Sequence, residues 1–504
     1  MIRAGSMRPG RRILSRGLSS SSLEPESLRR NAISAFGARI TSAGFTAVLT
    51  LFLVRALDPV GYGLFGLAAA VAAIVALPAD FGVSLSAARF VAERRADRAL
   101  VAQVVATALR TKVRVTGAAA ILLFAAASPI AAVYGEPRLT WVIRGFAISL
   151  LFEGLLFLLT NAFVAQGRTS VTLGVALAEG AVETGASIAL VLLGGGAAGA
   201  AFGRSIGYLA GFGCALFVAV RLLGRSVMSR SPGGAWGGEI LRYGGALFLV
   251  DSAYTLFNAI DVLVIGAFIS ATAVGLFSAP MKLLVILQLP AVALSTAVAP
   301  RMADGFAGER DATALPRAMG HVAVFQLALV APLLVWAEPI VRLALGTGYQ
   351  GSVDVLRALT PFAVLFGFGS MLSVTANYLG QARRRVPVAL ATVAINVVLD
   401  LILVPSIGVV GGAIGTDCAY LVYVVAHLWI CRQKVDLPLG PLLGALARAT
   451  AAAVAMCAVL FAFGTGALPV STVIIGSSLG LLAYLACLLV LGVFELPQRR
   501  HVPT

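Results

Sequence analysis

Apolar runs of about 20 residues recur from one end of the chain to the other, separated by short polar segments rich in arginine. A bilayer core about 30 Å thick takes roughly 20 apolar residues per crossing helix, so the pattern predicts membrane-spanning helices. Fourteen spans are predicted, at 31–54, 62–88, 115–134, 142–165, 171–193, 198–220, 243–268, 274–299, 319–337, 355–380, 387–407, 411–431, 446–464 and 469–493. The segments between them are all shorter than a folded domain, which leaves no room for a soluble catalytic unit.

One stretch of this pattern occurs twice. Gly63 to Pro78 reads GLFGLAAAVAAIVALP, and 212 residues later Gly275 to Pro290 reads GLFSAPMKLLVILQLP. The same ungapped offset pairs Arg30 with Arg242, Phe36 with Phe248, Phe45 with Phe257 and Arg89 with Arg301. Positions 30 to 89 hold 14 such identities, where composition alone would give roughly five. Gly199, Ala201 and Gly203 meet Gly411, Ala413 and Gly415 at the same offset. The chain is an internal duplication. Six spans per copy is an even number, so both copies enter the membrane the same way up, related by a pseudo-twofold axis along its normal.

The expected fold is therefore all-α: a polytopic membrane protein of two parallel six-helix repeats plus two appended helices, fourteen transmembrane helices in all. The expected division is a disordered basic tail at 1–28, an N-lobe at 29–225, a C-lobe at 238–432, appended spans at 445–494 and a short tail at 495–504. A cleft between the lobes follows from that layout.

Composition agrees: 59% of the 504 residues are hydrophobic and 12% charged, with a mean hydropathy of +0.96. The net charge of +16 would suit nucleic acid, but its distribution suits topology better. With both termini cytosolic, the cytosolic segments hold 30 Lys and Arg and the outer segments five, as the positive-inside rule requires. The last three, Arg39, Arg204 and Lys282, lie within spans. The expected location is a bacterial cytoplasmic (inner) membrane. All five cysteines fall in or beside apolar runs and read as small apolar residues. His321, His427 and His501 are scattered, so no metal site is expected. Arg383 to Arg385 read as a topology anchor, and Pro78 and Pro290 as kinks.

The amphipathic first helix of each repeat, the short outer loop followed by G-L-F, and LVPSIGVVGGAIGT (Leu403 to Thr416) resemble polysaccharide exporters. With the 6+6+2 layout, residues 30 to 495 resemble the multidrug/oligosaccharidyl-lipid/polysaccharide flippase superfamily, in its Wzx-like branch. The resemblance implies a flippase moving an undecaprenyl-pyrophosphate-linked oligosaccharide from the inner to the outer leaflet by alternating access, with no reaction catalysed. It also implies lipid-linked oligosaccharide, membrane lipids and polysaccharide assembly machinery as partners, no nucleic acid, and a monomer. No cofactor is expected beyond a coupling sodium ion or proton. The alternatives are a cation-coupled multidrug exporter of the same superfamily and a membrane-embedded polymerase or glycosyltransferase.

A pyrophosphate needs cations in a wet cleft, and charges inside spans cost roughly 2.5–3.5 kcal/mol each on insertion scales. Arg39, Arg55 and Lys282 are the candidates for such a track. Adding 212 to Arg39 gives Asp251, so a salt bridge between the lobes is the other reading of that arginine. A second candidate site joins Asp261, Asn396, Asp400 and Thr416. Asn396 and Asp400 are four apart on one helix face, and these oxygens suit a hard cation or a carboxylate-borne proton. The resemblance adds a cation site in the second lobe of lipid II flippase relatives, built from an Asp, an Asn-x-x-x-Asp pair and a Thr. Interhelical hydrogen bonding is the alternative. Subtracting 212 from Thr416 gives Arg204, and a pair between Arg204 and Glu183 is expected to fill the equivalent place in the first lobe.

Overall fold

The computed structural model describes residues 28–80, 82–228, 236–303, 314–435 and 437–492. Among them there are helices and turns and no strand, as membrane burial demands of a backbone that must satisfy its own hydrogen bonds. The chain begins with α1 (Leu28–Ala56), α2 (Asp58–Asp80), α3 (Val83–Glu93) and α4 (Arg98–Val133), followed by α5 (Leu139–Ala165), α6 (Thr169–Leu190) and α7 (Gly196–Leu223). It continues with α8 (Trp236–Phe268), α9 (Ala271–Ala303), α10 (Ala314–Val335) and two short helices, α11 (Ala337–Ala344) and α12 (Ser352–Ala358). Then come α13 (Thr360–Tyr378), α14 (Ala382–Ile407), α15 (Val409–Arg432), α16 (Leu439–Ala462) and α17 (Val470–Val490).

Eleven helical stretches among the described residues are long and apolar enough to cross a membrane. One of these, Thr169–Leu223, folds back at Gly194, where φ is 90°, and so comprises α6 and α7. α8 and α9, each 33 residues long, carry the shorter apolar stretches Ser252–Phe268 and Ala271–Val285.

The repeat is visible in the packing. α1 packs on α6 and α6 on α7; at +212, α8 packs on α14 and α14 on α15. Likewise α5 packs on α7 as α13 does on α15. The two halves of the chain meet chiefly where α2 lies against α9. α3 and α4 also reach α8, at the opposite end of α2 from the turn at residue 57. The appended α16 leans on α10 and α17 on α16. Trp336 Nε1 donates to the carbonyls of Leu460 and Gly464 at 3.1 and 3.0 Å, fixing this attachment.

Two elements differ from the sequence reading. The second span, expected to run from 62 to 88, ends at Asp80 and breaks at Gly82, whose φ of 68° only glycine adopts freely. Its counterpart α9 is continuous from Ala271 to Ala303. The segment expected as a basic cytosolic loop, from Arg89 to Arg114, is mostly helix. Asp97 caps α4 by accepting from the backbone N–H of Ala99 and Leu100, at 2.9 and 3.0 Å, and the helix then runs 36 residues without a break.

Candidate functional site

A cavity of about 780 Å³ lies between the two halves, walled by residues of α2, α4, α5, α7, α8 and α9. Most of the wall is apolar, and among the described residues three cations reach it: Lys112 from α4, Arg204 from α7 and Lys282 from α9. Asp80 and Glu153 bring carboxylates to the same wall.

The cations differ in how they are held. Lys282 is exposed in the cavity, and among the described residues no carboxylate stands within ion-pair distance of it. Arg204 is tied down: Nη1 lies 3.2 Å from Glu183 Oε1, Nη2 3.4 Å from Glu153 Oε1 and 2.9 Å from Tyr208 Oη. Tyr208 in turn donates to Glu153 at 3.2 Å. Lys112 is 2% exposed and pairs with Asp80, whose Oδ1 also accepts from Ser84 Oγ at 2.8 Å. Asp80 is the last residue of α2 and Ser84 lies just inside α3, so this pair is built across the break at Gly82.

Sequence reasoning did not single out Asp80, Lys112 or Glu153. Lys112 falls between the expected spans 62–88 and 115–134 and so reads as a cytosolic loop residue. The signal that could have found it is the Asp97 cap, which starts α4 early enough to carry Lys112 almost four turns into the helix.

The expected anion track is divided. Arg39 is exposed on α1 and does not line the cavity. The side chain of Asp251, its expected partner, lies outside the described residues. Arg55 ends α1 and donates to backbone carbonyls of α11: Nε to Ala344 O at 3.2 Å, and Nη2 to Leu343 O. It thus satisfies C-terminal carbonyls that a helix leaves open. Nearby, Tyr349 Oη donates to the carbonyls of Val54 and Asp58 at 3.0 and 2.9 Å. One end of the cavity is closed by these bonds between the halves.

The second candidate cluster is brought together. Asp261 Oδ1 accepts from Asn396 Nδ2 at 3.0 Å, and Oδ2 from Thr416 Oγ1 at 2.9 Å. Asp400 adjoins them. Asn396, Asp400 and Thr416 are fully buried and Asp261 is 2% exposed. Gly415 makes room, since a Cβ there would stand 2.4 Å from Asp400 Oδ1. Three oxygens, Asn396 Oδ1 and both carboxylate oxygens of Asp400, have no hydrogen-bond donor among the described residues. Two adjoining buried carboxylates with unspent acceptors call for a positive charge, either a hard cation or a proton. The position equivalent to Thr416 in the first half is Arg204, whose guanidinium supplies that charge from the chain itself.

The sequence profile of the family described as "Polysaccharide biosynthesis protein" matches residues 28–306. Among its relatives, the probable low-salt glycan biosynthesis flippase Agl15 of Haloferax volcanii is 22% identical over 469 residues, 91% of this chain and 94% of its own length. The uncharacterized membrane protein MJ1375 of Methanocaldococcus jannaschii is 25% identical over 197 residues, 39% of this chain and 46% of its own. The lipid II flippase MurJ in its inward closed conformation superposes with a TM-score of 0.73 at 15% identity, covering 91% of this chain and 98% of that structure. An inward-facing multidrug resistance MATE family transporter gives 0.62 at 19% identity, covering 80% and 98%. At these identities the two structures establish a shared fold.

Proposed function

Since the chain belongs to the polysaccharide biosynthesis protein family of flippase-like transporters, we propose that its cargo is an undecaprenyl-pyrophosphate-linked oligosaccharide. Movement runs from the inner to the outer leaflet of a bacterial cytoplasmic membrane, with both termini cytosolic. The observation that carries this reading is Lys282: a cation exposed in the central cavity with no carboxylate partner among the described residues. An anionic headgroup supplies what that ammonium lacks, whereas a cationic drug would be repelled by it. Lys112 and Arg204 keep their charges neutralised by Asp80, Glu153 and Glu183, and so serve structure before cargo.

The mechanism is alternating access between an N-lobe and a C-lobe. With the basic segments cytosolic, the end closed by Arg55 and Tyr349 faces outward, and release of cargo requires those bonds to part. The Asp261–Asn396–Asp400–Thr416 cluster binds the coupling ion, sodium or a proton, inside the C-lobe. An ion there neutralises Asp400 and stabilises the packing of α8, α14 and α15, the elements that carry the cluster. Cargo binding and ion binding are thereby linked through the position of α8, which walls the cavity with Asn258 and holds Asp261 one turn on.

Proteoliposomes carrying a fluorescent undecaprenyl-pyrophosphate oligosaccharide test the reading. Wild type should equalise the probe between leaflets, and Lys282→Ala should not. Equal rates in the two, or a rate no greater than in empty vesicles, would overturn it.

A further inference from the structure

Beside the central cavity lies a second one, of about 290 Å³, enclosed by α8, α13, α14 and α15. Tyr254 lines both, so the two spaces are neighbours across one side chain. The second is built unlike the first. One wall is a row of rings from α15 and α13. Tyr420 and Tyr423 stack with centroids 5.1 Å apart and planes 27° apart, and Phe366 lies 6.0 Å from Tyr420 at 18°. Tyr423 continues onto His427 at 4.0 Å. The spacing 420, 423, 427 puts the three α15 rings on one helix face.

At the end of this row stands Arg385. Its Nη1 donates to Asn377 Oδ1 at 2.5 Å, Nη2 to Ser373 Oγ at 2.6 Å, and Nε to His427 Nε2 at 3.4 Å. His427 Nδ1 contacts the carbonyl of Tyr423 at 2.9 Å, which requires the proton on Nδ1 and leaves Nε2 as the acceptor. All three partners are neutral. Among the described residues no carboxylate lines the cavity and none pairs with Arg385. A guanidinium has five N–H donors. Three are used to aim this one and two remain, and no described carboxylate compensates its charge.

We infer that this cavity is a binding subsite for one acidic sugar ring, a hexuronate-type unit of the glycan, with the ring against the aromatic wall that Tyr254, Tyr420 and Tyr423 contribute and the carboxylate on Arg385. A pyranose has an apolar C–H face that packs against aromatic side chains, and hydroxyls at its edge for Ser370, Ser373 and Thr392, which line the same space. A carboxylate accepts from the remaining N–H groups in a charge-assisted contact of the kind arginine favours. The volume holds a single ring rather than a chain. The inference rests on the cargo being a lipid-linked glycan, and places part of its sugar in the C-terminal half, next to the headgroup cation Lys282 across Tyr254.

Saturation-transfer NMR on the purified full-length protein in detergent tests it, with free glucuronate as probe and glucose as its neutral match. Glucuronate ring protons should receive saturation and glucose several-fold less. Arg385→Gln should weaken glucuronate binding roughly tenfold or more, as for loss of a charged hydrogen bond, and Tyr423→Leu should remove the ring-proton transfer. Arg385→Lys keeps the charge and should retain part of the signal, which preserves the test should Arg385→Gln fail to fold. Equal transfer to the two sugars, or an undiminished glucuronate signal in Arg385→Gln, would overturn the subsite. Because the probe carries no lipid, flipping is scored separately: flipping without glucuronate binding removes the subsite alone, and glucuronate binding without flipping removes the cargo reading alone.

Discussion

Gly63 and Gly275 are equivalent residues 212 positions apart, and each is pressed against the other's helix. A Cβ on Gly63 would lie 1.7 Å from the carbonyl oxygen of Ala271, and one on Gly275 would lie 1.9 Å from that of Pro59. Pro59 and Ala271 are themselves 212 apart. The contact is thus self-complementary about a local twofold, as in an isologous dimer interface, although both sides belong to one chain. It lies at the end of the cavity closed by Tyr349 and Arg55.

A side chain at either glycine cannot be accommodated without separating α2 from α9. Gly63→Val should therefore favour the state open at that end. In a background lacking the native cysteines, Tyr62→Cys, buried at 4% exposure for the tyrosine, should react several-fold faster with an impermeant outside maleimide once Gly63→Val is added. Unchanged labelling would mean that this contact does not form the outer closure.

Removing the charge that Asp261 and Asp400 share should remove the protein's response to the coupling ion. Binding at 100 times the dissociation constant stabilises a folded state by about 2.7 kcal/mol, enough to read as a melting shift. Wild type should melt higher in sodium than in choline, or should respond to pH if the ion is a proton, and Asp400→Asn and Asp261→Asn should both lose that response. If both variants respond as wild type does, the cluster is a hydrogen-bonding knot between helices.

The Lys112–Asp80 pair offers a double-mutant test across the break in α2. Lys112 is 2% exposed and Asp80 about a third exposed, so Lys112→Met strands a half-buried carboxylate and should cost about 2–3 kcal/mol. Adding Asp80→Asn should recover most of that loss. Melting of the three variants measures it. Additive losses would show that the two side chains act independently.

Arg39 and Asp251 separate cargo binding from pairing between the halves. If Arg39 binds pyrophosphate, Arg39→Ala should impair flipping and Asp251→Ala should not restore it. Full rescue in the double variant would remove Arg39 from the cargo site.

The hydrophobic period alone determined that the chain is helical and crosses a membrane many times, because a lipid environment leaves the backbone few other choices. The 212-residue offset determined which helices are equivalent, and the pair Asn396-x-x-x-Asp400 was legible because helical spacing acts along the chain, while joining Asp261 and Thr416 to it rested on the family resemblance. Tertiary structure alone decided the rest. Lys112 reads as a loop residue in sequence and becomes a buried cavity cation only because α4 extends past the bilayer's thickness and α2 breaks to bring Asp80 beside it. Arg55 reads as a cavity cation and instead caps α11, since only the folded position of residues 337–349 brings those carbonyls to it. Arg385 reads as one of three anchoring arginines, yet it is aimed by Ser373, Asn377 and His427 from two other helices. A residue's charge and its place along a helix are sequence properties. Whether that charge is neutralised depends on which neighbouring helix presents a partner, and packing across hundreds of residues settles it.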